Sequence, residues 1–158
     1  MRPAFSLLTL ILCLLTGGAN SSAEYPAVPI DLTPIRLSPH AYYVQGGTGI
    51  ATDNYGFISN AAFVVTSEGL VVFDTLGTPA LGAQLLEAIR SVSEAPIRTI
   101  YISHYHADHM YGTQAFAGSG AEIVASDGAK RYLEGEVAEQ RLTERRISLS
   151  PWVDGNTR

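Results

Sequence analysis

The chain has 158 residues, enough for one hydrophobic core and not for two. With 46% hydrophobic and 16% charged residues it is not a disordered polymer. A net charge of −5 argues against general binding to nucleic acid or to anionic membranes.

The chain begins with Arg2, an apolar run over residues 7–15, then Thr16-Gly17-Gly18 and the small polar stretch 19–23. This is the pattern of a secretory signal, cleaved after Ala23. The apolar run is about half the ~20 residues that a spanning helix needs. The expected organisation is therefore a signal over residues 1–23 and a globular region over 24–158. That region is exported to the periplasm or secreted, with no stable membrane insertion once the signal is removed. The single cysteine, Cys13, lies in the signal, so the mature chain has no disulfide and no thiolate chemistry.

Residues 24–39 contain Pro26, Pro29, Pro34 and Pro39 and predict an extended lead-in. Residues 40–45 are β-prone, and the polar, Gly-rich residues 46–57 predict a loop. Two β-branched apolar runs, 61–66 and 70–74, flank Ser67-Glu68-Gly69 and predict a hairpin. Thr78 and Pro79 predict the N-cap and first turn of a helix. Its apolar face is Leu81, Leu85, Ala88 and Ile89. A strand over 97–103, a short helix over 108–116 and a strand over 122–125 follow. A helix capped by Asp127 then runs to about Glu139, and residues 148–158 read as irregular. A hairpin followed by alternating helices and strands predicts an α/β layered domain. Lys130, Arg131, Arg141, Arg145 and Arg146 alternate with Glu134, Glu136, Glu139 and Glu144, which is a solvated helix face and not a basic patch.

The chemistry is concentrated in Ser103-His104-Tyr105-His106-Ala107-Asp108-His109, which holds three of the four histidines. On an extended backbone His104 and His106 leave the same face and can grip one metal ion. Asp108 and His109 follow where the chain turns and can address a second ion. Imidazole with carboxylate suits zinc, and also iron or manganese. Four such identities at fixed spacing arise by chance about once in a thousand chains of this size. The motif also stands at the C-terminal end of a strand, where α/β folds build their sites. His40 reads as a partly exposed strand residue, Tyr55 as a loop residue near the cleft, and Met110 and Tyr111 as packing residues.

The stretch His104-Tyr105-His106-Ala107-Asp108-His109 with Gly112 resembles the H-x-H-x-D-H-x-x-G signature of the metallo-β-lactamase superfamily, over roughly residues 38–135. The segments 42–56 and Pro151-Trp152-Val153-Asp154 are similar to exported zinc metallohydrolases linked to quinoprotein and sulfur-oxidation systems. The resemblance implies the N-terminal half of an αββα sandwich with a metal site along one edge. It implies that His104 and His106 bind a first Zn2+, and that Asp108 and His109 bind a second. It implies that Asp108 orients the attacking hydroxide, and that Asp74 supports the metal-binding loop from behind. The implied reaction is hydrolysis of an ester, thioester or lactam in a small-molecule substrate. Alternatives are a mononuclear iron persulfide oxygenase-like protein or a non-catalytic metal-binding remnant. The family takes a further histidine, a bridging acid and a last histidine from its second half, and no histidine follows His109 here. The expectation is thus a C-terminally truncated domain whose sheet exposes a face able to self-associate.

Overall fold

The computed structural model describes residues 25–158. The signal expected over residues 1–23 lies outside the described residues.

Six strands form one mixed sheet in sequential order: β1 (Ile35–Arg36), β2 (Ala41–Val44), β3 (Ala61–Thr66), β4 (Gly69–Phe73), β5 (Ile97–Tyr101) and β6 (Glu122–Val124). The first four pair antiparallel, while β5 and β6 run parallel to β4. The switch to parallel pairing requires a crossover, and helix α1 (Pro79–Val92) supplies it. Thr78 caps α1 by accepting the Leu81 N–H at 3.0 Å, and Pro79 opens the first turn. Both features match the sequence expectation.

Strand alternation gives the sheet two different faces. On one face the register aligns Tyr42, Phe63, Val72 and Ile100 across β2 to β5. Phe63, Val72 and Ile100 are fully buried there, beneath Leu81, Leu85 and Ile89 of α1. Each such side chain contributes about 1.5–3 kcal/mol on burial. On the other face the register aligns Ile35, Tyr43, Ala62, Phe73, Tyr101 and Val124 across all six strands. None of these six is buried, and the Phe73 and Tyr101 rings stack at 5.5 Å in the open. Among the described residues the sheet is covered on one side only, as expected of half a sandwich.

Four local expectations need correction. The lead-in contains the edge strand β1 as well as extended chain. The strand expected over 97–103 ends at Tyr101, because the Ser103 N–H is taken by the Asp74 carboxylate instead of a strand partner. The helix expected over 108–116 is one α-turn, α2 (Ala107–Met110), followed by 3-10 structure over Tyr111–Ser119. The His109 carbonyl accepts from Thr75, through its N–H at 2.9 Å and its hydroxyl at 3.3 Å. The Gly112 N–H donates to the Leu76 carbonyl at 3.0 Å. With these groups pointing outward, the α-ladder stops. Finally, the helix expected over 127–139 is two helices. Ser126 and not Asp127 caps α3 (Asp127–Leu133). Gly135, in extended conformation, starts α4 (Glu136–Ser148). α4 buries only Ala138 and Leu142, and Leu142 joins a small second cluster with Ala51, Tyr111, Leu149 and Val153. Among the described residues no helix is long and apolar enough to cross a membrane.

Candidate metal centre

The C-terminal ends of β4 and β5 meet at one edge of the sheet, and the histidine-rich turn folds back over them. Asp74 directly follows β4 and adopts a left-handed backbone (φ 60°), as does Leu76 (φ 71°). Left-handed conformations at residues with a Cβ cost free energy and mark a loop held by its surroundings. Here the hold is visible. The Asp74 N–H donates to the Tyr101 carbonyl at 2.8 Å, and Thr75 binds both the His109 carbonyl and the Thr113 hydroxyl. Gly112 lies so close beneath this loop that an added Cβ would collide with the Thr75 carbonyl oxygen. On the third side, the buried Ser59 hydroxyl donates to the Asp108 carbonyl.

This clamp aims the side chains. Asp74 is buried, and its Oδ1 accepts the Ser103 N–H at 2.7 Å. Its Oδ2 accepts the Ser103 hydroxyl at 2.8 Å and lies 2.7 Å from His109 Nδ1. A carboxylate only accepts, so His109 carries a proton on Nδ1, and the neutral ring presents a bare Nε2. That Nε2 lies 3.4 Å from Asp108 Oδ2. Both are electron-pair donors, so the pair calls for a cation or proton between them. The His104 ring centre is 4.6 Å from that of His106 and 4.1 Å from that of His109. Burial holds His104 below the ordinary imidazole value. The positive charges that His109 and His106 would carry push the same way, against the opposing pull of Asp74 and Asp108. A neutral His104 is the form that can ligate a metal.

The structure thus brings His104, His106, Asp108 and His109 into one cluster with Asp74 behind it. Imidazoles beside a carboxylate fit a divalent metal in kind. They do not yet fit in number, since no group of three or more His, Cys, Asp or Glu among the described residues is arranged to hold an ion. His40 is not part of the cluster. It is exposed and stands at the Val65 end of β3, away from Ser59. Tyr55 packs edge-on against Trp152 at 4.8 Å. Tyr111 is buried, and Met110 packs against both apolar clusters. Sequence reasoning overlooked Ser103 and Ser59. Ser103 adjoins the motif and could have been suspected from that position. Ser59 lies 49 residues from Asp108, and only the fold joins them. A groove of about 340 Å³ between residues 30–34 and α1 contains none of the motif residues.

Comparison with known proteins bears on the fold and the family. A model of the metallo-beta-lactamase superfamily matches residues 54–153. A linear primary-alkylsulfatase from Pseudomonas sp. (strain ATCC 19151) is 30% identical over 77 residues, which is 49% of this chain and 14% of that protein. A metallo-beta-lactamase from Cronobacter sakazakii, solved as a motif mutant, is 27% identical with a TM-score of 0.51, covering 66% of this chain and 39% of that one. A metallo-beta-lactamase from Pontibacter korlensis has a TM-score of 0.56 over 66% of this chain and 48% of that one. At 23% identity it speaks for the fold alone. The chain spans less than half the length of each of these relatives.

Proposed function

The chain belongs to the metallo-β-lactamase superfamily, and from that premise we propose that residues 104–109 form the N-terminal portion of a metal-dependent hydrolase site. The observation that supports this most is the facing pair of His109 Nε2 and Asp108 Oδ2 at 3.4 Å, with His109 oriented by Asp74. In this reading His104 and His106 hold one ion and Asp108 and His109 a second, with zinc as the metal. A bound divalent ion would supply a water ionised near neutral pH and would polarise the scissile bond.

The protein's own part is positioning. Asp74 fixes the His109 ring, as carboxylates commonly do for metal-ligating histidines. Ser59 and Thr75 hold the backbone carbonyls of Asp108 and His109, so the turn cannot drift. Asp108 accepts a hydrogen bond from the attacking water and aims it. The substrate class is a small molecule with an ester, thioester or lactam bond. The alkylsulfatase likeness adds an alkyl sulfate. We also propose export of residues 24–158 after signal removal, and self-association through the open sheet face.

The test is zinc binding and turnover of nitrocefin, a thioester and dodecyl sulfate by residues 24–158. With no group of three donors ready among the described residues, zinc should bind more weakly than at a complete site, and turnover should be slight. His106→Ala and His109→Ala should each lower zinc affinity at least about tenfold. Zinc binding unchanged in both variants would refute the site.

A further inference from the structure

We propose that Ser103 is a positioning residue that fixes the tautomer of His104, so that the single carboxylate of Asp74 sets two of the site's imidazoles, one directly and one through a hydroxyl. The proton arithmetic carries this. The Ser103 hydroxyl lies 2.8 Å from Asp74 Oδ2 and 3.0 Å from His104 Nδ1. It has one hydrogen to give and lone pairs to receive with. The carboxylate can only accept, so the hydrogen goes to Asp74. What remains for His104 is an oxygen lone pair, and His104 must meet it with a protonated Nδ1. The reverse assignment would leave the hydroxyl oxygen facing a carboxylate oxygen at 2.8 Å with no proton between them. His104 is therefore left with a bare Nε2, the same state that Asp74 imposes on His109 at 2.7 Å.

The backbone explains why a residue at this position can do this. Ser103 comes two residues after β5 ends, and its own N–H donates to Asp74 Oδ1 at 2.7 Å. Its N–H and O–H thus engage both carboxylate oxygens, which sets the direction of the hydroxyl. Asp74 in turn is pinned by its left-handed backbone and its bond to Tyr101. The chain of constraint runs from β5 through Tyr101, Asp74 and Ser103 to the His104 ring. Alanine at 103 would keep the N–H clamp and remove only the relay. Threonine would keep the hydroxyl.

The consequence for metal affinity rests on the metal-site reading above, whereas the tautomer itself does not. Long-range 1H–15N spectra of the metal-free chain at about pH 8 report which ring nitrogen carries the proton. The wild-type chain should show Nδ1–H for both His104 and His109. Ser103→Ala should move His104 toward Nε2–H and leave His109 unchanged, and Ser103→Thr should restore the wild-type signature. Zinc affinity should fall about 10- to 100-fold in Ser103→Ala and recover in Ser103→Thr. An Nε2–H His104 in the wild-type chain overturns the proposal, and so does a His104 tautomer unaffected by Ser103→Ala. The wild-type spectrum decides the matter even where the alanine variant does not fold. A wild-type chain with the expected tautomers that binds no zinc would refute the metal reading and leave the relay standing.

Discussion

Gly112 shows how closely the site is tied to the core. Its missing side chain lets the 3-10 segment rest on the Thr75 carbonyl and against Gly82 of α1. Gly112→Ala should therefore force the two backbones apart and cost about 1–3 kcal/mol, the range for overpacking. Urea unfolding measures the loss, and His109 should move with the displaced loop. At the same scale, the lowered pKa of His104 makes a statement about pH. The folded chain binds fewer protons at His104 than the unfolded chain does between the lowered value and the ordinary 6.5. Stability without metal should thus rise with pH through that window and be fully present above 6.5. Urea midpoints between about pH 5 and 8 should show that slope, and His104→Ala should flatten it. The four motif residues were legible because their types and spacing carry chemistry directly. The hydrogen bonding of Asp74 was not, because it depends on a left-handed backbone that nothing in the local sequence requires.

Among the elements, α1 was the most legible. Its cap, its proline and its apolar face are written in consecutive residues. Thr78→Ala should cost about 1 kcal/mol through the lost cap, and Leu85→Ala about 2–5 kcal/mol through the cavity left in the core. Thermal or urea unfolding measures both. A Thr78→Ala loss near zero would mean that the buried Leu81 N–H finds another partner. The helices after Asp127 were harder to read. Their surface is polar on most sides, so apolar periodicity could not mark the break at Gly135. The 3-10 segment was hidden for a different reason. It arises from bonds between His109 and Thr75 and between Gly112 and Leu76, which connect residues more than thirty positions apart.

At the scale of the whole molecule, the sheet is a layer with one partner among the described residues. The apolar row from Ile35 to Val124 crosses six strands spaced about 4.8 Å apart. A contiguous apolar row open to solvent is a candidate association surface. A second copy laid face to face would cover Phe73 and Tyr101, which are 43% and 42% exposed. Sedimentation of residues 24–158 should therefore show mass growing with concentration, and Phe73→Lys should suppress it. A monomer at all concentrations would contradict that account. The alternation of strands and helices made the layer order legible in advance.

We propose the edge built by Asp74, Ser103 and residues 104–109 as a place for metal. X-ray absorption of the zinc-loaded chain tests it most directly. Zinc at this edge should have a shell of nitrogen and oxygen only, at about 2.0–2.2 Å. Its imidazole scattering signature should weaken in His104→Ala and again in His109→Ala. A zinc shell without imidazole, or one unchanged by both substitutions, would contradict it.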